Sequence, residues 1–182
     1  MTARRALTTT AIWAMAVAML VAAPANEGIR VTPVVSDGEV STSFDVPTAF
    51  DTDVQDVVRS GLLLTFTFNV ELRRPSPVWI DRVLGATTVA SSVKFDNLTG
   101  VYQVSKLQDG RVFWSERTQK AAQVRVWMTV FDRVAVGSRE ALEPNADYYV
   151  RVRMQASPRR TFSVWPWSSD VASGRADFTF IR

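Results

Sequence analysis

Cysteine and histidine are both absent from the 182 residues of this sequence. Without cysteine the protein forms no disulfide bond and has no thiol nucleophile, so its hydrophobic core must hold the fold. Without histidine it has no Ser-His-Asp or Cys-His catalytic group, no histidine-ligated zinc and no histidine pH switch. Asp51, Asp53 and Asp56 lack the rest of a calcium-binding loop. We therefore predict neither a metal nor a cofactor.

A strong excess of either charge is also lacking. Residues 1–25 hold two arginines and no acidic residue, so the remaining chain has 19 basic and 18 acidic residues and a net charge of +1. A nucleic-acid-binding domain needs a clustered basic surface. The charge balance therefore predicts no nucleic-acid partner.

Residues 1–25 have the layout of a secretory signal peptide. A short basic start is followed by residues 6–23, which carry no charge, and by the small-x-small site Ala23-Pro24-Ala25. We predict cleavage after this site, so that residues 26–182 form a single exported domain in the periplasm or another extracytoplasmic space. The alternative is an uncleaved membrane anchor, since a spanning helix needs about 20 residues. Only in that case does the sequence predict membrane contact.

The stretch Gly61–Val83 predicts the central strand of a sheet. Apolar residues alternate with polar ones from Leu64 to Leu72, which gives one dry face and one wet face. A short helix capped by Asp51 or Thr52 is predicted to lead into this strand, and Pro75 is predicted to end it. Further strands are predicted at residues 29–35, 39–46, 79–81 continuing into 83–95, 101–107, 111–116, 148–155 and 174–181.

Residues 118–134 fit two patterns. Steps of three and four between apolar residues, from Val124 to Val134, are typical of a helix, whereas the alternation from Val124 to Val130 is typical of a strand. The length and the Gln-Lys-Ala-Ala opening favour a helix, and the strand remains the alternative. The whole pattern predicts a mainly β (α+β) fold: an antiparallel β-sandwich-like or strongly curved sheet with two helices packed on it.

The central stretch also resembles a known family. Its GLLLTFTFNVELRR segment is followed by W-x-D-x-x-V with Trp79 and Asp81, and Leu142–Arg153 reads LEPNADYYVRVR. Both blocks resemble the exported bacterial proteins grouped as domain of unknown function 4390, with Asn145 where that family has glycine and Pro77-Val78 where it has an aromatic doublet. The resemblance implies an envelope-associated protein without an assigned activity. It also implies a link to envelope signalling, because family genes neighbour an envelope sensor kinase in some bacteria.

Arginines and tryptophans supply the candidate contact residues. Two short arginine pairs are suited to an anionic partner such as a phosphate or a lipid head group, and the alternative is a solvated sheet face. Exposed tryptophans would form a platform for carbohydrate or peptide, with Trp165-Pro166-Trp167 the best candidate, and the alternative is packing in the core and loops. The candidate interaction residues are Glu71, Arg73, Arg74, Trp79, Asp81, Arg151, Arg153, Trp165 and Trp167.

Catalytic signals are weak. Ser91 and Lys94 match the S-x-x-K motif of penicillin-recognising enzymes, but they lie in an alternating stretch and the companion motifs are missing. Glu71 and Asp81 are the one carboxylate pair considered for glycoside hydrolysis, and the alternative for Glu71 is a cross-strand ion pair. We predict no catalytic residue and no enzyme activity.

Three functional hypotheses follow. The leading one is a non-catalytic binding or accessory module of the cell envelope, with an envelope protein as its partner. The second is a carboxylate-based hydrolase that acts on envelope glycans. The third is a structural partner subunit that binds by adding a strand to an open sheet edge.

Overall fold

The structure is a computed structural model that describes residues 28–36, 38–157 and 172–181. The predicted signal peptide therefore lies outside the described residues. The described part contains nine β-strands, two α-helices and a short 3-10 helix at Arg139–Ala141. These are β1 (Arg30–Val35), β2 (Glu39–Asp45), α1 (Thr52–Arg59), β3 (Leu64–Arg74), β4 (Arg82–Asp96), β5 (Val101–Gln108), β6 (Arg111–Thr118), α2 (Ala121–Thr129), β7 (Val130–Ser138), β8 (Ala146–Ser157) and β9 (Ala172–Phe180).

The strands form two antiparallel sheets that pack face to face. One sheet has the order β6-β5-β4-β3-β8-β9, and the other has the order β1-β2-β7. Between them the rings of Phe44 and Phe131 stack with centroids 5.0 Å apart, and both contact the ring of Phe68 at 5.2 and 5.1 Å. The predicted mainly β, sandwich-like fold with two helices is confirmed.

The predicted central strand is confirmed as β3. It lies between β4 and β8, and it ends at Arg74, immediately before Pro75. Its inward-facing residues from Leu64 to Leu72 are all at most 4% exposed. Because side chains alternate along a strand, the polar residues between them share the opposite face of the sheet. That outer face carries four of the nine candidate residues, Glu71, Arg73, Arg151 and Arg153.

The helix that leads into β3 is also confirmed. Asp51 caps α1, because its carboxylate accepts a hydrogen bond from the Val54 amide at 2.8 Å. Val54 and Val58 are buried, and the chain leaves the helix through Gly61 at a φ of 85°. Of the two predicted caps, Asp51 is the one that the helix uses.

The ambiguous residues 118–134 contain both a helix and a strand. The helix prediction is right for Ala121–Thr129 and wrong from Val130 onward, where β7 begins and pairs with β2. Arg133 has a φ of 49° and lies at a register shift between β2 and β7, so Phe131 and Val134 both face the core although three positions separate them. A β-bulge thus produces the spacing that looked helical.

The stem of the β3–β4 hairpin touches the second sheet at Gly85. Leu72 pairs with Gly85 while Arg73 pairs with Val83, so β4 carries one extra residue, Leu84, in a β-bulge beside Gly85. A Cβ atom on Gly85 would lie 2.1 Å from the carbonyl oxygen of Val136 in β7. Only glycine allows this approach of the two sheets.

The first and last described strands meet. The Ile29 amide, just before β1, donates a hydrogen bond to the Ser173 carbonyl in β9 at 3.4 Å. The chain thereby joins the two sheets along one side. Within the described residues, no helix is both long and apolar enough to cross a membrane.

Candidate functional site

The outer faces of β3, β8 and β9 place charged residues in cross-strand rows. In one row Glu71 lies opposite Arg151, which lies opposite Arg175. In the next row Arg73 lies opposite Tyr149, and beyond the first row Asn69 lies opposite Arg153. Residues directly opposite in an antiparallel pair are close enough for their side chains to interact.

Glu71 is the centre of an arginine cluster. Its carboxylate accepts hydrogen bonds from Arg151 Nη2 at 2.7 Å, Arg73 Nε at 2.9 Å and Arg153 Nη2 at 3.1 Å. The Glu71 side chain is 17% exposed, so these contacts are only partly screened by water. The predicted cross-strand ion pairing of Glu71 is confirmed.

The arginine cluster keeps Glu71 ionised. Partial burial by itself raises the pKa of this carboxyl group, but the hydrogen bonds and charges of Arg151 and Arg73 outweigh burial and hold the pKa below its ordinary value. A general acid in glycoside hydrolysis needs the opposite shift, since it must carry a proton near neutral pH. In this environment Glu71 is suited to stay negatively charged and to hold the surrounding arginines in place.

Asp81 is fixed by a buried tyrosine. The Tyr149 hydroxyl donates to Asp81 Oδ2 at 2.5 Å, and the Ser76 amide donates to Asp81 Oδ1 at 3.0 Å. These bonds, with that from Tyr149 the strongest, hold the pKa of Asp81 below its ordinary value. Burial, and then the bond to Asp81, raises the pKa of the Tyr149 phenol.

Tyr149 lies on the outer face of the sheet and is nevertheless buried. It shares the outer face with Arg151 and Arg153, but only 2% of it is exposed. The guanidinium carbon of Arg175 lies 3.7 Å from the centroid of its ring, and this contact from β9 covers it. Neither Tyr149 nor Arg175 is among the candidates predicted from the sequence, because the signal lies in the register of β8 and β9.

Residues 75–81 form a closed loop between β3 and β4, so the prediction of extended chain at 79–81 is wrong. Pro75 and Pro77 have no amide hydrogen for a sheet, and Asp81 binds back to the Ser76 amide. Ser76 Oγ then accepts from the Trp79 amide at 3.3 Å. The strand β4 starts only at Arg82.

The loop presents three consecutive large apolar residues to solvent, Val78, Trp79 and Ile80, which we call the apolar tip. They are 86%, 81% and 75% exposed, respectively. No aromatic contact involves Trp79 within the described residues, whereas Trp114 and Trp127 pack together at 4.9 Å. Trp79 therefore differs from these two tryptophans, which pack against each other.

Arginines flank the base of the loop. Arg74 and Arg82 lie opposite each other across the hairpin. Arg74 forms an ion pair with Glu143 at 2.7 Å, and this contact lowers the pKa of Glu143, to which the charge of Arg82 also contributes. Two opposed cations thus share one carboxylate.

The structure brings most of the predicted site residues together. Glu71, Arg73, Arg151 and Arg153 form the arginine cluster, and Asp81 joins it through Tyr149, which also interacts with Arg73. Arg74 and Trp79 belong instead to the loop and its base. Trp165 and Trp167 lie outside the described residues.

The weaker motifs have structural explanations. Ser91 is buried and donates its hydroxyl hydrogen to the Met128 carbonyl, whereas Lys94 is exposed on the other face of β4, so the two residues do not form an acylation site. Asp51 acts as the helix cap. No group of potential metal ligands occurs in the part of the chain that the structure describes.

Comparison with known proteins gives one match. The family model of a domain of unknown function, DUF4390, matches residues 26–160. This range includes the whole arginine cluster and the whole loop, but not Arg175. Neither a curated protein nor a solved structure matches the chain.

Proposed function

The chain belongs to the family defined by the domain of unknown function DUF4390, and we propose that it is a non-catalytic interaction module of the cell envelope. Its contact element is the loop of residues 75–81. The observation that carries the proposal is the apolar tip, three adjacent large apolar side chains each at least 75% exposed. Such a surface is costly in water and typically marks a binding site.

The loop has the properties of a preformed contact. Asp81 holds both the start of the loop, through the Ser76 amide, and the sheet beneath, through Tyr149. A fixed loop loses little conformational freedom on binding, so more of the binding energy is retained. Tryptophan is also the residue type most enriched among the residues that dominate binding energy.

Location in the envelope is supported by the sequence of residues 1–25, with the layout of a signal peptide. An alkaline phosphatase fusion tests this, because the reporter is active only where its disulfides form. We expect activity from a fusion to the full chain and none after residues 1–25 are deleted. Activity in the deleted form would contradict export through this segment. The resemblance to the family supports a link to envelope signalling.

The environment of the carboxylates favours binding over hydrolysis. Glu71 and Asp81 both have lowered pKa values and both accept hydrogen bonds from the sheet. A glycosidase needs one carboxyl group that is protonated at working pH. Incubation of the chain with purified envelope glycan tests the alternative, and release of sugar fragments that is lost in Glu71→Gln would support a hydrolase.

Strand addition is the weaker binding mode. Among the described strands β6 is an edge, since it pairs only with β5. Arg111, Glu116 and Arg117 on this edge are charged and exposed, which is a common protection against edge pairing. The loop offers a contact that needs no such edge.

Photocrosslinking tests the contact element directly. A photoreactive benzoylphenylalanine is placed at position 79 or at position 98 of the full chain in a bacterial host. Leu98 is the matched control, because it is 97% exposed but stands alone on the β4–β5 turn. We expect crosslinks to an envelope component, protein or lipid, from position 79 only. Equal crosslinking from both positions, or none from 79, would refute the assignment.

A further inference from the structure

The loop also indicates what it contacts. Building on the proposed function, we propose that the apolar tip inserts into the interfacial layer of an anionic lipid bilayer. The sequence predicts membrane contact only if residues 6–23 are retained as an anchor. Insertion of the apolar tip does not require that anchor.

Along the loop, the apolar residues lie outermost and the charged residues lie behind them. Val78, Trp79 and Ile80 are adjacent and carry no charge, while the nearest charges are Asp81 and the arginines at the loop base. A segment that enters a membrane interface has this order, with apolar side chains outermost and charges behind them at the level of the head groups. Tryptophan is enriched at that level because its ring is apolar and its N–H is polar.

The base of the loop carries positive charge. Arg74 and Arg82 face each other across the hairpin, an arrangement of like charges that is unfavourable in the free protein. The Glu143 carboxylate interacts with both. Lipid phosphates supply the additional negative charge, because a guanidinium group binds phosphate with two parallel hydrogen bonds.

The acidic group in the loop, the Asp81 carboxylate, is directed toward the protein. Both oxygens of the Asp81 carboxylate accept bonds from the protein, one from Tyr149 and one from Ser76. The carboxylate therefore turns toward the sheet, and repulsion between it and an anionic surface is reduced. The exposed charge beside the tip is that of Arg82.

A groove in a partner protein fits these features less well. A stable protein interface of ordinary size buries about 800 Å² on each partner around a central anchor. The apolar tip is a short projection whose three side chains touch little of the described chain, and opposed arginines lie directly behind it. Insertion of one small loop gives weak, reversible binding.

Vesicle binding tests the inference with the chain from residue 26, which contains every described strand and helix. Co-sedimentation is measured with phosphatidylcholine vesicles, with and without phosphatidylglycerol. We expect binding to the anionic vesicles, at least tenfold weaker binding by V78S/W79S/I80S, and unchanged binding by the control Leu98→Ser. Arg82→Glu should weaken binding to anionic vesicles and leave binding to neutral vesicles unaffected.

Depth-sensitive fluorescence separates insertion from surface adsorption. Lipids brominated on their acyl chains quench a tryptophan that has entered the bilayer, and the difference between the natural chain and Trp79→Phe assigns the signal to Trp79. Equal quenching in both proteins would overturn the inference, as would vesicle binding that the triple variant retains. Circular dichroism spectra and urea unfolding confirm that each variant is folded.

The two proposals fail in different ways. Crosslinking of position 79 to a protein, together with no vesicle binding, would overturn the lipid inference and leave the interaction module standing. Absence of both crosslinks and vesicle binding would overturn both proposals. Crosslinking of position 79 to phospholipid, together with quenching of Trp79, supports both.

Discussion

Two hairpins of the same sheet differ in the length of the connection between their strands. The central hairpin, β3–β4, has strands of 11 and 15 residues and a connection of seven residues. The edge hairpin, β5–β6, has two strands of eight residues, and only Asp109 and Gly110 connect them. Both close an antiparallel pair, so the long connection is not required for closure.

Both connections are nevertheless held by an aspartate. Asp109 accepts from the Thr88 amide at 3.0 Å and donates its own amide to the Thr88 carbonyl at 2.8 Å, just as Asp81 binds Ser76 and Tyr149. The difference lies in what each connection exposes. The short turn presents polar chain, whereas the long loop presents the apolar tip, and this contrast supports the proposal that the long loop is the contact element.

The largest effect should come from the stem of the central hairpin. Gly85→Ala places a Cβ atom 2.1 Å from the Val136 carbonyl oxygen, so the two sheets must separate locally. We expect the free energy of unfolding in urea to fall by about 3 kcal/mol.

The matched control lies in the edge hairpin. Gly110→Ala meets no atom within 4 Å and suffers only from its φ of 81°. Its expected cost is about 1 kcal/mol, the typical penalty for a left-handed backbone at a residue with a side chain. Similar costs at the two positions would contradict the close packing of β4 on β7.

Loss of the tyrosine anchor should have the next largest effect. Tyr149→Phe removes the donor to Asp81 from a buried ring, and we expect a loss of about 1–2 kcal/mol in the free energy of unfolding. In a double-mutant cycle Asp81→Asn should add little to Tyr149→Phe, because the two residues share one bond. Additive effects would show that the bond does not hold the loop to the sheet.

Acid should weaken the central hairpin through Glu71. Its pKa is lower in the folded protein than the ordinary value of 4.5, so its contribution is complete above that value and is lost as the pH falls through the folded pKa. We expect the free energy of unfolding to drop as the pH falls below about 4.5. The drop should be smaller in Glu71→Gln, and an unchanged drop would assign acid sensitivity to other carboxyl groups.

The smallest effect concerns a cation of the edge hairpin. Lys106 donates to the Val130 carbonyl at 2.7 Å and lies 4.7 Å from the Phe131 ring centroid, and burial lowers its pKa. Because no ion pair with a carboxylate compensates this burial among the described residues, Lys106→Met should raise the free energy of unfolding by less than about 1 kcal/mol. A loss of stability would show that the bond to the carbonyl outweighs desolvation.

Features set by neighbouring residues were predictable. The alternation in β3, the cap at Asp51 and the end at Pro75 all follow from residues adjacent in the chain. The arginine cluster was predicted in part, since Glu71 and Arg73 share a face of one strand and Arg151 and Arg153 share a face of another. Their convergence depends on the pairing of β3 with β8, about 80 residues apart.

Features set by distant contacts were missed. The burial of Tyr149 depends on Arg175 from β9, and the closure of the loop depends on Asp81 reaching Ser76 and Tyr149 at once. The strand at Val130–Ser138 was missed because the bulge at Arg133 shifts the alternation to a spacing that a helix also produces. In each case the local sequence was compatible with two structures, and a contact with a residue far away in the chain determined which one forms.

The meeting of the first and last strands governs when this domain can finish folding. The hydrogen bond from Ile29 to Ser173 links residues 144 positions apart. In the same way, β3 cannot complete its pairing until the chain of β8 is present. Long-range pairings of this kind slow folding, because the intervening chain must first be confined. A chain that emerges with its amino terminus first keeps the edge of β8 unpaired until β9 follows. During that interval the unpaired edge of β8 is open to incorrect pairing with other strands.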